Sequence, residues 1–523
     1  MICIKEDMVQ HTIKRYVSFE EPQPKKAEKD EKRRIASVIF LTLTQLTMSF
    51  DAVAQTGISS LLQNYFNISD STKTTFSTVA TSLELMSMLL LFLFGDRLPR
   101  KHLMTCSIAA WLVCNILSLF STPGAFWLFL LTRTVSSACW SMFVVLCPVI
   151  ISDMFKDEVL GKALMFNSLA NYLGSVISSS ITSWFASTGL PWQAGLIPGP
   201  ILVMVLLLLL VIVMPGKRHH SKLREGEYLL DTKNLFKIKS FLLLTFGASF
   251  TSFYFRAHGA WLPSLIEKGW NTSSGAYLGL THSGVSSITI IIELLGVIIG
   301  LPLLVWIAES MQYATGPSFF RRHGGFARAM PAILFFLALV TIGCSVGELA
   351  SMDRSFIGLA IFTFFLAVAA SPFVTLITQM LLNVAPPKQR ASAIAATRLV
   401  VGLLAGWSAQ LVGMLSDILR GSSAEAVDDF RALRISFYTL LAFLGIAAML
   451  YFALIKVYPE DVIRSKMLID FEDEEMDDEV LEKERKPLIR RQRSREPVRQ
   501  RADTVFDRLS RRNTLDAGYA LLI

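Results

Sequence analysis

The sequence predicts an all-α, polytopic membrane protein with about twelve transmembrane helices in two six-helix halves. Three observations lead there: a hydrophobic content of 52% with a mean hydropathy of +0.49, charges crowded into a few stretches, and apolar runs long enough to cross a bilayer. The charges gather in residues 1–34, 216–240 and 458–513, while 102–130 and 196–214 carry almost none.

A hydropathy pass places spans at roughly 35–59, 72–94, 102–121, 125–150, 163–187, 196–214, 241–263, 284–307, 329–348, 356–383, 391–415 and 433–456. The organisation expected is an N-terminal arm (1–34), a six-helix bundle (35–214), a basic linker (215–240), a second six-helix bundle (241–457) and a disordered tail (458–523). The tail is acidic over 471–479 and basic over 483–512, with few aromatic residues, the composition of a solvated segment. No cleavable leader is visible in the arm, so the first span is expected to target the chain.

An even number of spans puts both termini on one side. Lys and Arg concentrate in the arm, in "GDRLPRK", "PGKRHHSKLR", "FFRRHGGFAR" and "PPKQR", and in the tail, which are alternate loops. The positive-inside rule makes that side cytosolic. Two glycosylation sequons, at Asn67 and Asn271, fall in loops on the opposite side.

Five of the six cysteines, Cys106, Cys114, Cys139, Cys147 and Cys344, lie inside expected spans, with Cys3 in the arm. No loop therefore offers a disulfide pair, and no CxxC points to a metal. A phosphate-binding GxxxxGK[ST] loop is absent, as is any Ser-His-Asp, metal or paired-acid arrangement outside the spans. An enzyme, a bound cofactor and a nucleic-acid partner are not expected. Two six-helix bundles joined by a basic linker match carriers built from repeats, with substrate held near the bilayer midplane.

"GDRLPRK" joins the second and third spans. Its plain reading is that Arg97, Arg100 and Lys101 anchor helix ends and fix orientation. Its sharper reading is a gating latch in which Asp96, Arg97, Arg100 and Lys101 pair with the other bundle when the cytosolic side is closed. The stretch resembles the signature loop of the major facilitator superfamily, with Phe92 where the pattern's first Gly is expected. The segments "LLQNYFNISDSTKTTFSTV", "GDRLPRKHLM", "FWLFLLTRTV" with "CPVIISDMF", "GAWLPSLI", "VAPPKQRASAIAA" and "LVGMLSDILR" with "DFRALRISF" resemble, in order, the spinster family of lysolipid and sphingolipid transporters. The resemblance implies a proton-linked carrier of lysophospholipids or sphingoid phosphates. It matches Asp51 and Arg133 to polar family positions, whereas Ala52, Trp140 and Ala405 stand where the family has Arg, Glu and Asp.

Each ionisable group near a helix centre costs roughly 2.5–3.5 kcal/mol on insertion scales, so those retained call for partners or a function. Within the spans lie Asp51, Glu84, Arg133, Arg256 with His258, Glu293 and Arg398. The expectation is that Arg133 and Arg256, with His258 and Trp140, line a substrate cavity and that the two arginines hold a phosphate. Asp51, Glu84 and Glu293 are expected to take up protons; the plain alternative is that acids and bases neutralise one another between helices, that Arg398 snorkels to the cytosolic face and that Arg256 and His258 sit close to the luminal interface. A carrier of another organic anion, and a sensor or scaffold that no longer transports, stay open as alternatives.

Sorting signals complete the reading. "ERKPLI" (Glu484, Leu488, Ile489) and "EGEYLL" (Glu225, Leu229, Leu230) fit an acidic dileucine pattern, and "YALL" at Tyr519 a tyrosine-based one. They point to clathrin-adaptor-type partners and to the late endosome or lysosome, with the plasma membrane as alternative.

Overall fold

The computed structural model describes residues 24–57, 59–67, 70–155, 157–187, 191–214, 235–272, 282–314, 325–420 and 426–493. These residues are helical almost throughout, and none of them is in a strand. The first half holds α1 (Pro24–Gly57), α2 (Asp70–Phe94), α3 (Arg100–Leu119), α4 (Phe126–Met154), α5 (Asp157–Ser187) and α6 (Pro198–Val213). The second holds α7 (Lys239–Thr272), α8 (His282–Ala314), α9 (Gly325–Ser351), α10 (Phe356–Ala370 and Pro372–Val384), α11 (Arg390–Ala405 and Ser408–Arg420) and α12 (Ala426–Arg493). Each corresponds to one expected span. The two pieces of α10 meet at Ser371–Pro372, where proline lacks the N–H that would continue the ladder.

No repeat is evident in the sequence, yet the packing repeats. Helix α1 packs on α5, and both α2 and α3 pack on α4; likewise α7 packs on α11, and both α8 and α9 pack on α10. The halves meet where α2 packs on α11 and α5 on α8. Small residues allow these approaches. A Cβ at Gly174 of α5 would strike the Leu46 carbonyl of α1, and Gly296 and Gly300 on α8 let the backbone of α10 come equally near. Hydrogen bonds add to the same seams: Gln45 Nε2 and Ser49 Oγ of α1 donate to Asn171 Oδ1 of α5 at 2.8 and 2.6 Å.

The chain divides into two compact units, Met1–Ser465, which contains the bundle, and Lys466–Ile523. The stretch expected as a disordered tail from 458 is helical as far as Arg493. Glu484, Leu488 and Ile489 lie on that helix. Glu225, Leu229, Leu230 and Tyr519 lie outside the described residues.

Candidate functional site

The charged span residues separate into three groups. In the N-terminal half, Arg133 of α4 is 1% exposed and Asp51 of α1 is 2% exposed. Arg133 Nη1 lies 3.1 Å from Asp51 Oδ2, Nη2 donates to the Asp51 carbonyl at 3.2 Å, and Nη1 also donates to Asn115 Oδ1 of α3. Asn115 in turn donates to Ser136 Oγ at 2.6 Å. A buried guanidinium is stable only with its counter-charge beside it and its remaining donors satisfied. The group is therefore a sealed tie between α1, α3 and α4, and it corrects the expectation that Arg133 faces the cavity. Trp140 is likewise displaced from the expected site: it packs against the core of the N-terminal half, with its indole N–H buried and without a hydrogen bond.

The second group lines a cavity of about 460 Å³ walled mainly by α7, α8, α10 and α11, with Tyr172 and Val176 of α5 entering from the other half. Arg256, His258, Glu293 and Arg398 line it. Arg256 is exposed although it sits well inside α7, because the cavity opens beside it. Arg256 and Arg398 are within electrostatic range of one another, and Glu84 of α2 is within range of Arg256 across the halves. Glu84 also accepts a hydrogen bond from Ser137 Oγ of α4. Beyond the charges the wall is mostly apolar, with Phe255, Val297, Ile377, Leu381 and Ile394, interrupted by hydroxyls such as Thr251, Ser252, Thr378 and Thr397. Two cations on one wall with a largely apolar surface suit an anion with a hydrocarbon tail.

His258 brings in a residue that the sequence reading missed. Its Nε2 lies 2.8 Å from Glu348 Oε2 on α9, and Thr363 Oγ1 of α10 donates to Glu348 Oε1 at 2.8 Å. Glu348 is 0% exposed. In the sequence it ends the ninth expected span, where a carboxylate ordinarily meets water; the helix runs on to Ser351 and packing encloses it.

The third group closes one end of the bundle. Asp96 accepts from the backbone N–H groups of Ala391 (3.3 Å) and Ser392 (2.8 Å), in the first turn of α11. Helix N-termini leave such N–H groups without intrahelical partners and carry partial positive charge, so a carboxylate supplied by the other half acts there as a cap. Arg100 joins Asp96 (2.8 Å), Asp153 (2.8 Å) and the Pro387 carbonyl (2.5 Å), and Arg390 Nη1 donates to the Ser152 carbonyl at 3.4 Å. Asp96 and Arg100 thus tie the two halves together at this end, and Asp153 and Arg390 join the same network. Lys101 does not take part; it donates to the Met214 (2.6 Å) and Val211 (3.3 Å) carbonyls and caps α6 within its own half. Arg97 is exposed and lies over the Phe94 ring at 5.6 Å.

The remaining ends differ. Tyr65, Phe66, Phe126, Phe129 and Trp192 form an aromatic cluster in the N-terminal half. In the C-terminal half Arg434 pairs with Asp353 (2.8 Å) and Arg420 with Asp429 (3.1 Å). Asn67 follows the short helix Ser59–Phe66 with φ 50°, exposed, and Asn271 lies in the last turn of α7.

Comparison with known proteins agrees with this architecture. Residues 40–308 match the family model of the Major Facilitator Superfamily. The chain is 28% identical over 437 residues to "Protein spinster homolog 1" of Xenopus laevis, covering 79% of each. It is 24% identical over 414 residues to "Sphingosine-1-phosphate transporter SPNS2" of Xenopus tropicalis, covering 77% of this chain and 78% of that relative. Its fold is shared with the proton:xylose symporter XylE, with a TM-score of 0.61 at 13% identity over 82% of this chain and 98% of that one. A twelve-helix bundle with repeated packing, a cavity at the seam and a latch between the halves is a transporter architecture, and the chain belongs to the Major Facilitator Superfamily, with spinster proteins among its relatives.

Proposed function

We propose that this membrane transporter carries a single-chain anionic lipid, a lysophospholipid or a sphingoid phosphate, by alternating access coupled to protons. The observation that carries the reading is Arg256 and Arg398 on the wall of one cavity whose remaining surface is largely apolar. Arginine suits a phosphate because its planar fork donates two parallel hydrogen bonds, and the apolar wall receives the hydrocarbon chain. Arg398 takes the place first expected of Arg133. The name of one relative, a sphingosine-1-phosphate transporter, supports the same class of cargo.

The positive-inside rule puts the latch end in the cytosol and Asn67 on the other face. The latched state then presents the cavity to the lumen or the outside. Late endosome or lysosome is the favoured membrane, the plasma membrane the alternative, with the dileucine and tyrosine signals read by adaptors.

The test is flux of labelled sphingosine-1-phosphate and lysophosphatidylcholine through purified protein in proteoliposomes, with and without an acidic lumen. Transport of either lipid that drops in Arg256→Ala and Arg398→Ala supports the reading. Transport of neither, or variants that carry lipid at the parental rate, overturns it. A small organic anion without a tail binding as tightly as the lipid would favour the second reading, a carrier of tailless anions.

A further inference from the structure

The packing repeat pairs α1, α3 and α4 with α7, α9 and α10, and each set holds one buried polar triad. In the first, Arg133, the eighth residue of α4 counted from Phe126, holds Asp51 of α1 and Asn115 of α3. In the second, Thr363, the eighth residue of α10 counted from Phe356, holds Glu348 of α9, which holds His258 of α7. The positions correspond and the chemistry does not. The first triad contains a permanent cation, so protonating Asp51 would strand a buried guanidinium. The second contains an imidazole and a carboxylate, neither of them a permanent charge, so the pair has more than one accessible protonation state. His258 and Thr363 also line the cavity, which the first triad does not.

We propose that His258 with Glu348 is the proton-binding site of this carrier, and that its protonation favours the anion held by Arg256 and Arg398. The inference rests on the carrier reading above. The groups around His258 give it a sign. Glu348 faces it from α9, Glu293 is within electrostatic range on α8, the Tyr254 and Phe437 rings flank it from α7 and α12, and Cys344 lies near Glu348. Arg256, Arg398 and Tyr172 share the cavity from α7, α11 and α5. With the proton bound, imidazolium and Glu348 neutralise each other. With it lost, Glu348 is left as an uncompensated negative charge beside the cavity, opposing an incoming phosphate. Proton and anion therefore favour one another, and by linkage each raises the other's affinity by the same factor.

Two measurements test this on the full chain in bilayers. The first is a ¹⁵N-imidazole NMR titration of the protein's seven histidines, with His258 identified in the parental chain by its through-space contacts with the Tyr254 and Phe437 rings. The His258 signal is expected to titrate without lipid, and to titrate at higher pH when sphingosine-1-phosphate is added. The second is binding of that lipid at about pH 5.5 and 7.5, with affinity expected to be about tenfold tighter at the lower pH and that ratio collapsing in His258→Gln and Glu348→Gln. Because the titration is read in the parental chain, variants that misfold do not remove the test. A His258 signal that never titrates, or variants that bind lipid with the full parental pH ratio, overturns the proposal. A His258 that titrates in a protein that binds no lipid supports the proton site and overturns the lipid reading alone.

Discussion

In the N-terminal half Asp51 and Arg133 look at one another, and in the C-terminal half Arg256, Arg398 and Glu293 look into a cavity, with His258 both on its wall and paired to Glu348. Asp51 and Arg133 are sealed between α1, α3 and α4, while Arg256, Arg398, His258 and Glu293 line open space between α7, α8, α10 and α11. One packing pattern thus supports two uses of charge. Paired inside a bundle, a charge ties helices together; facing a cavity, it is free to meet a ligand. The halves are a scaffold and a site, although they are built alike.

The largest effect that would break this comparison is on folding. Arg133→Ala leaves Asp51 buried without its cation and is expected to destabilise the protein by ~3–5 kcal/mol. The double variant Asp51→Asn with Arg133→Gln should recover much of that loss. Thermal unfolding of the purified protein reads both, and a single variant as stable as the parent would show that the pair is no scaffold.

Next in size is an effect on flux alone. Arg256→Ala, on a residue that already faces open space, is expected to keep the parental unfolding temperature while lipid flux falls about ten- to a hundredfold, the loss expected for charge-assisted hydrogen bonds worth roughly 1.5–3 kcal/mol. A variant that instead melts early would place Arg256 with the scaffold charges.

The latch ranks third. Asp96→Asn weakens the cap on α11 and the bond to Arg100, at a cost of about 1 kcal/mol by comparison with helix N-caps. Spin-label distances between α2 and α11 at that end should show more of the open state. Smallest is Lys101→Ala, which loses only the cap on α6 and is expected to change stability by about 0.5 kcal/mol and to leave the latch distances unchanged. A Lys101 variant that opened the latch as Asp96→Asn does would return Lys101 to the gate.

The glycan readout sharpens orientation. Asn67→Gln should remove one glycosylation shift on a gel if the end opposite the latch faces the lumen or the outside.

Much of the fold was legible because spans are written locally. A run of apolar residues needs no knowledge of its neighbours to partition into lipid, and all twelve expected spans correspond to helices. The latch was half legible: Asp96 and Arg100 were singled out in "GDRLPRK", while Asp153 and Arg390, far along the chain, became its members only through packing. The site was least legible. Arg133 is sealed away from the cavity, Arg398 lines it without having been assigned a site role, Trp140 went to the core, and Glu348 lay hidden at what resembled a helix end.

What the sequence alone determined, then, is roughly where the apolar helices run and most of the ionisable residues they carry, since both follow from transfer free energies along one stretch of chain. Tertiary structure decided which of those charges neutralise each other and which face the cavity. A buried charge is settled by the nearest opposite charge in space, and Asp51 meets Arg133 across 82 residues as His258 meets Glu348 across 90.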